Sequence, residues 1–299
     1  MSARRDADGP DGLVVVDKAP GWTSHDVVAK SRGLLGTRKV GHSGTLDPDA
    51  TGVLLLGVGR VTRLLKFLTA LPKTYTCAIV LGVETTTLDS SGEVTAEHDM
   101  SSVTFDDVVA AARTLTGEIL QIPPMVSAVK VDGRRLHALA REGIEVERQP
   151  RPVTVHRFVV APTDDPLVVR AEVECSSGTY VRTLAADLGA ALGGGAHLRE
   201  LRRTTIGSFT VADARPLDAI GPDAILSPAV AMRDLAAVVV DDSERVAVGH
   251  GRILPIDERF SGDGPWAVLG VDGALLAVYQ RHRGDTAKPD VVVAPVDGK

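Results

Sequence analysis

One stretch concentrates the residue types that chemistry needs: Gly41-His42-Ser43-Gly44-Thr45-Leu46-Asp47-Pro48-Asp49-Ala50-Thr51-Gly52. Its three glycines open backbone shapes closed to other residues, so the loop can approach a ligand closely. Pro48 steers the residue before it away from the helical region, which fixes the direction of the Asp47 carboxylate. An acid presented beside His42 can serve as a nucleophile, as a general acid or base or, with Asp49, as a metal ligand. An aspartate that merely closes its own turn has the same spacing. The pattern alone leaves these readings open. Cys77 and Cys175 stand far apart and lack metal-ligand spacing, so buried reduced thiols are expected.

A loop of this kind has to be carried by regular elements. Residues 13–17 read as a strand. Thr23 and Asp26 form a capping-box pattern before an apolar-periodic helix that stops near Gly33 and Gly36. Residues 53–58 form an apolar run typical of a buried strand, residues 60–68 look helical, and residues 75–81 make another strand. A second capping box, Thr104 with Asp107, opens a helix over 104–115. Val129-Lys130-Val131 runs into the turn signal Asp132-Gly133. Residues 153–160 and 167–175 are strands, the latter alternating apolar and charged, and residues 179–192 form a helix ended by Gly193-Gly194-Gly195. Strands mixed with helices, without βα alternation, predict an α+β fold. Beyond residue 209, Pro216, Pro222 and Pro228 break up the chain, and residues 269–279 and 291–293 look like strands of a small β-rich module. The expected organisation is a disordered polar lead over 1–10, a main domain over 11–228 and the module over 229–299.

The net charge of −6 argues at first against a nucleic-acid partner, but the charges are unevenly spread. Residues 17–73 hold nine Lys/Arg to four Asp/Glu, and residues 121–157 hold seven to four. Residues 74–112 hold seven acids and no Lys or Arg, and from residue 210 onward the count is nine bases to fourteen acids. Screening confines electrostatic attraction to roughly 10 Å, so a polyanion needs a local basic face rather than a basic total. Solvated faces without a partner would look the same. No run of 18 apolar residues predicts a membrane span, and the polar first dozen residues lack a signal peptide's apolar stretch. A cytoplasmic protein is expected.

The loop resembles the catalytic motif of the TruB family of tRNA pseudouridine synthases, Gly-His-x-Gly-x-Leu-Asp-Pro-x-Ala-Thr-Gly, at every fixed position. Four further segments are similar to the family's motifs in the same order: the opening motif over residues 17–25, Lys73-Thr74-Tyr75, residues 121–130, and residues 178–203 from Gly178-Thr179-Tyr180-Val181-Arg182 through Leu201-Arg202-Arg203. The resemblance spans residues 11–209. It implies a mixed, mainly antiparallel sheet with flanking helices, followed by a PUA-like C-terminal module. Carried over by position, Asp47 is the catalytic aspartate, Arg182 the arginine that pairs with it, and Tyr75 the tyrosine that stacks on the target base. Tyr180 and Leu201 line the pocket, and His42 fills the space left by the extruded nucleotide. Lys18, Lys130 and Arg202, with Lys30, Arg38, Lys39, Arg60, Arg63 and Arg203, are expected at phosphates. The resemblance further implies tRNA as partner through its T-loop, no cofactor, no metal, no obligatory protein partner and a monomer. Three other readings stand beside it: an RNA-binding or tRNA-folding protein without chemistry, a guide-RNA-dependent synthase, and a metal-dependent hydrolase using His42, Asp47 and Asp49.

Overall fold

The structure, a computed structural model, describes residues 9–127, 130–131, 133–136, 139, 142–144 and 146–294. Residues 1–8 of the lead expected over 1–10, Val129, Asp132 and the Lys130 side chain lie outside the described residues. Within the described residues the chain runs through β1 (Gly12–Lys18), α1 (Ser24–Leu34), β2 (Val40–His42), β3 (Thr51–Val58), β4 (Lys73–Leu81), α2 (Phe105–Thr114), β5 (Gly117–Gln121), β6 (Arg151–Pro162), β7 (Val168–Cys175), α3 (Val181–Ala191) and β8 (Ala196–Ile206). It continues through β9 (Ala236–Val240), α4 (Asp242–Gly249), β10 (Trp266–Gly270), β11 (Leu275–Arg281) and β12 (Thr286–Val292). The fold is mixed α+β. It divides into two compact units, residues 1–48, 52–70 and 207–299 in one, and residues 49–51 and 71–206 in the other.

In the first unit, β1 lies antiparallel to β3 from Gly12↔Val58 to Lys18↔Gly52, and β2 pairs β3 through Gly41↔Gly57 and His42↔Leu56. Leu13–Val16 are buried one after another, as expected of a strand covered on both faces. Both halves of the Thr23–Asp26 capping box are present, and α1 sets Val27 and Val28 against Val14, Val16, Leu54 and Leu56. The stretch expected as one helix over 60–68 is a 3₁₀ turn, Gly59–Leu64, followed by a short α-helix, Leu65–Ala70.

The C-terminal residues of this unit form their own sheet in the order β9-β10-β11-β12, with the short strand Leu254–Pro255 at its edge. Trp266, Tyr279, Val238 and Leu276 belong to its separate apolar core. The single strand expected over 269–279 is a hairpin instead. β10 and β11 turn back on each other around Gly273, whose φ of 76° needs a residue without Cβ. Arg60 and Arg63 of the 3₁₀ turn donate to the carbonyls of Val293 (3.1 Å) and Val292 (2.9 Å), and Lys66 pairs with Asp290. These contacts fasten the last strand to the segment that follows β3.

The second unit is an antiparallel array in the order β8-β4-β7-β6-β5. The Thr104–Asp107 capping box opens α2 as expected, and α3 packs on β8 through Leu184, Ala185 and Leu188. Sequence patterning did not predict β8. It carries a bulge between Arg199 and Arg202, where Glu200 takes a left-handed φ of 58°.

Candidate active site

The carboxylate loop is held from one side by a single neighbouring segment. Ser24 Oγ accepts from Leu46 N (2.8 Å) and donates to Leu46 O (3.2 Å). The Pro48 carbonyl accepts from Lys18 Nζ (2.8 Å) and from Gly21 N (3.0 Å). Asp47 therefore sits half-buried between two residues whose backbones are fixed. Gly44 at φ 90° and Gly52 at φ 99° make the bends on either side. His42 ends β2 and meets the His25 ring edge-to-face, with centroids 5.2 Å apart and planes at 83°.

Lys18, expected at a phosphate, does a different job. It is 1% exposed, and its ammonium donates to the carbonyls of Ala19 (3.0 Å), Trp22 (2.7 Å) and Pro48. An ammonium has three protons, and each has a backbone acceptor here. A phosphate outside has no access to it.

In the second unit, Tyr75 is 8% exposed near the start of β4, opposite Val173 on β7 and Arg203 on β8. Arg182, in the first turn of α3, is 5% exposed and donates from Nη1 to Thr87 O (2.9 Å) and from Nη2 to Val126 O (2.8 Å). Its Nη1 also lies 3.3 Å from Asp89 Oδ2. The other oxygen of Asp89 accepts from Thr87 Oγ1, Ser91 N and Ser91 Oγ, and Leu88 beside it takes a left-handed φ of 63°. A buried guanidinium needs such partners, because an unpaired charge in the interior is costly. Tyr180 precedes α3; its N–H donates to Gln121 Oε1 (2.7 Å), and its carbonyl accepts from Gln121 Nε2 (3.0 Å). Leu201 lies within the β8 bulge, half-buried; bulges often re-aim side chains beside functional sites. Tyr75, Tyr180, Arg182, Leu201 and Arg202 all belong to this unit, while His42 and Asp47 belong to the other.

Comparison with known proteins shows what this arrangement belongs to. Residues 32–181 match the N-terminal domain of the TruB family pseudouridylate synthases, and residues 182–259 match the tRNA pseudouridylate synthase B C-terminal domain. The chain is 51% identical to tRNA pseudouridine synthase B of Rhodococcus jostii over 95% of its length and 94% of that relative. The chain belongs to the TruB family. It is also 46% identical to the Streptomyces coelicolor protein of the same name, over 92% of this chain and 95% of that one. Among solved structures, a Cbf5-Nop10-Gar1 complex contains a chain with a TM-score of 0.73 and 26% identity, covering 99% of this chain and 92% of that one. An H/ACA RNP bound to a substrate RNA containing 2'-deoxyuridine gives 0.72 and 26%, over 96% and 86%.

Within this TruB-family chain, sequence reading passed over Asp89 and Gln121, which hold Arg182 and Tyr180. Nothing in the patterning around Asp89 separates it from an ordinary turn aspartate. It also passed over the buried cation Lys73, 5% exposed on the Tyr75 face of β4. Burial and then the neighbouring Arg203 charge bring the Lys73 ammonium down to about 8. Arg203, expected at a phosphate, is 1% exposed and so unavailable to one. Arg60 and Arg63 are engaged with the last strand, while Lys30, Arg38 and Lys39 are exposed and Arg202 is half-buried. Burial pushes the Cys77 thiol up to about 12 and Cys175 to about 11, so neither supplies a thiolate nucleophile near neutral pH. Among the described residues no group of three His, Cys, Asp or Glu side chains could hold a metal ion, and no helix is long and apolar enough to cross a membrane.

Proposed function

We propose that this chain isomerises uridine to pseudouridine at position 55, in the T-loop of tRNA, with Asp47 as the essential carboxylate. The observation that carries this reading is identity of 43–51% over nearly the whole chain to relatives named for acting on tRNA. The order of glycine, histidine and aspartate in residues 41–52 stands with it. In the reaction the N1–C1′ bond breaks, the uracil turns, and a C5–C1′ bond forms on the same ribose. The C5 hydrogen leaves and N1 gains a proton, so electrons balance without a cofactor. Asp47 either attacks C1′ or takes the C2′ proton. Arg182 keeps that carboxylate ionised and aimed, Tyr75 stacks on the base, and Tyr180 and Leu201 line the pocket.

A uracil inside a folded loop cannot turn over, so it must leave the stack, and His42 fills the space it vacates. Exposed Lys30, Arg38 and Lys39, with Arg202, take the phosphates; Lys130 is assigned with them on resemblance alone. The chain acts as a cytoplasmic monomer without a partner protein, and residues 229–299 serve as its PUA-like module. Release of tritium from tRNA labelled at uridine C5 tests the reading. Wild type is expected to release it and Asp47→Asn to release none; full release by the variant overturns the role of Asp47. Likeness to chains of H/ACA particles favours a second reading, guide-RNA dependence. Turnover of bare tRNA transcript by the purified chain decides between the two.

A further inference from the structure

We infer that His25 is a positioning residue for His42: its imidazole, perpendicular to the His42 ring, fixes the plane of that ring beside the Asp47 loop. This rests on the stacking role proposed above for His42. A planar side chain can replace a base in a stack only if its plane lies parallel to the neighbouring bases. The χ2 torsion of histidine is broad, so the backbone of β2 does not set that plane by itself. Contact with the His25 ring restricts it. The two rings come from different elements, the first turn of α1 and the end of β2, and meet nearly perpendicular at 5.2 Å, the edge-to-face arrangement favoured between aromatic rings.

His25 is exposed, so filling the core does not account for it. Its backbone is nevertheless well fixed. Thr23 and Asp26 close the capping box around it, and Ser24 beside it bonds both backbone groups of Leu46. Lys18 Nζ holds the Trp22 carbonyl on the preceding turn. Little further ordering is needed to hold the ring against His42, and the same segment that pins the residues flanking Asp47 also carries the ring. The carboxylate and the His42 plane thus share one support.

The test uses the full-length chain with His25→Ala, His25→Phe, His42→Ala and the double variant His25→Ala/His42→Ala. A T-arm stem-loop RNA with 2-aminopurine beside the target uridine reports the filling of the stack. Single-turnover rates at saturating RNA are measured alongside RNA affinity and the ring-proton NMR shifts of His42. His25→Ala is expected to move the His42 shifts and slow the saturated rate roughly 2- to 12-fold, with unchanged RNA affinity. His25→Phe restores the rate, and His25→Ala adds nothing in the His42→Ala background. Unmoved His42 shifts overturn the contact. A wild-type rate for His25→Ala, where His42→Ala is slow, overturns the positioning role. If His42→Ala itself runs at the wild-type rate, the stacking role of His42 falls, and the shifts still decide whether His25 sets the ring.

Discussion

Asp47 and Arg182 lie in different compact units and are held by different means. The residues flanking Asp47 are gripped by Lys18 at the end of β1, Gly21 in the turn after it and Ser24 at the start of α1. The Arg182 guanidinium is gripped by Thr87, Asp89 and Val126, which lie 56 to 95 residues away in sequence. The loop therefore has its shape set by near neighbours in one unit. The arginine depends on long-range assembly of the other unit, and on a charge balance inside it. Disturbing one support should leave the surroundings of the other residue in place.

The largest effect expected is from Lys18→Met. It takes the side-chain donor from the Ala19 and Trp22 carbonyls and one of two donors from Pro48, and a hydrogen bond from a charged group contributes about 1.5–3 kcal/mol. Urea unfolding should show a loss of about 3 kcal/mol or more, with tritium release falling in step; a wild-type midpoint would remove the loop's support from the comparison. Next comes Arg182→Lys, which keeps the charge but loses the planar fork that reaches two carbonyls at once. The saturated rate should fall on the order of 100-fold, equal to about 2.7 kcal/mol, and the melting temperature should fall with it, because the Thr87 or Val126 carbonyl loses its donor. A wild-type rate would show that charge alone suffices.

The smallest effect on rate is expected from Lys73→Met, whose signature is the pH dependence of stability. Below about pH 8 Lys73 is charged whether the chain is folded or unfolded, and burial makes that charge costly in the folded state. Between about 8 and the ordinary lysine value of 10.5 the unfolded chain still holds the proton that the folded chain has released, so this residue makes stability rise with pH. Cys77 and Cys175 act in the opposite sense above pH 9, where only the unfolded chain ionises them. The difference in melting temperature between wild type and Lys73→Met isolates the lysine; a flat difference from pH 7.5 to 10 would mean that Lys73 does not titrate in this window.

What the sequence made legible follows the same division. The loop motif and both capping boxes rest on local spacing, and local spacing survives into the fold. Strand β8 stayed hidden because Arg199-Glu200-Leu201-Arg202-Arg203 lacks alternation, and the left-handed Glu200 breaks the period where the bulge falls. Lys18 and Arg203 read as surface cations because composition gives no sign of the carbonyls or strands that cover them. The hairpin of β10 and β11 was signalled by Asp272-Gly273, but the apolar residues on both sides masked the turn. Asp89 and Gln121 act on residues 93 and 59 positions away, a relation that only the fold reveals.

The guanidinium groups that Arg60 and Arg63 lay on the carbonyls of Val292 and Val293 have a further consequence. Bare backbone acceptors at the rim of a small sheet invite a foreign strand, and such pairing seeds aggregation. Here two cations stopper those acceptors, so the rim is shielded from self-association. Because Arg63 is exposed, concentrated salt or an arginine-to-glutamine exchange should unstopper it first, and light scattering would register the assemblies that form.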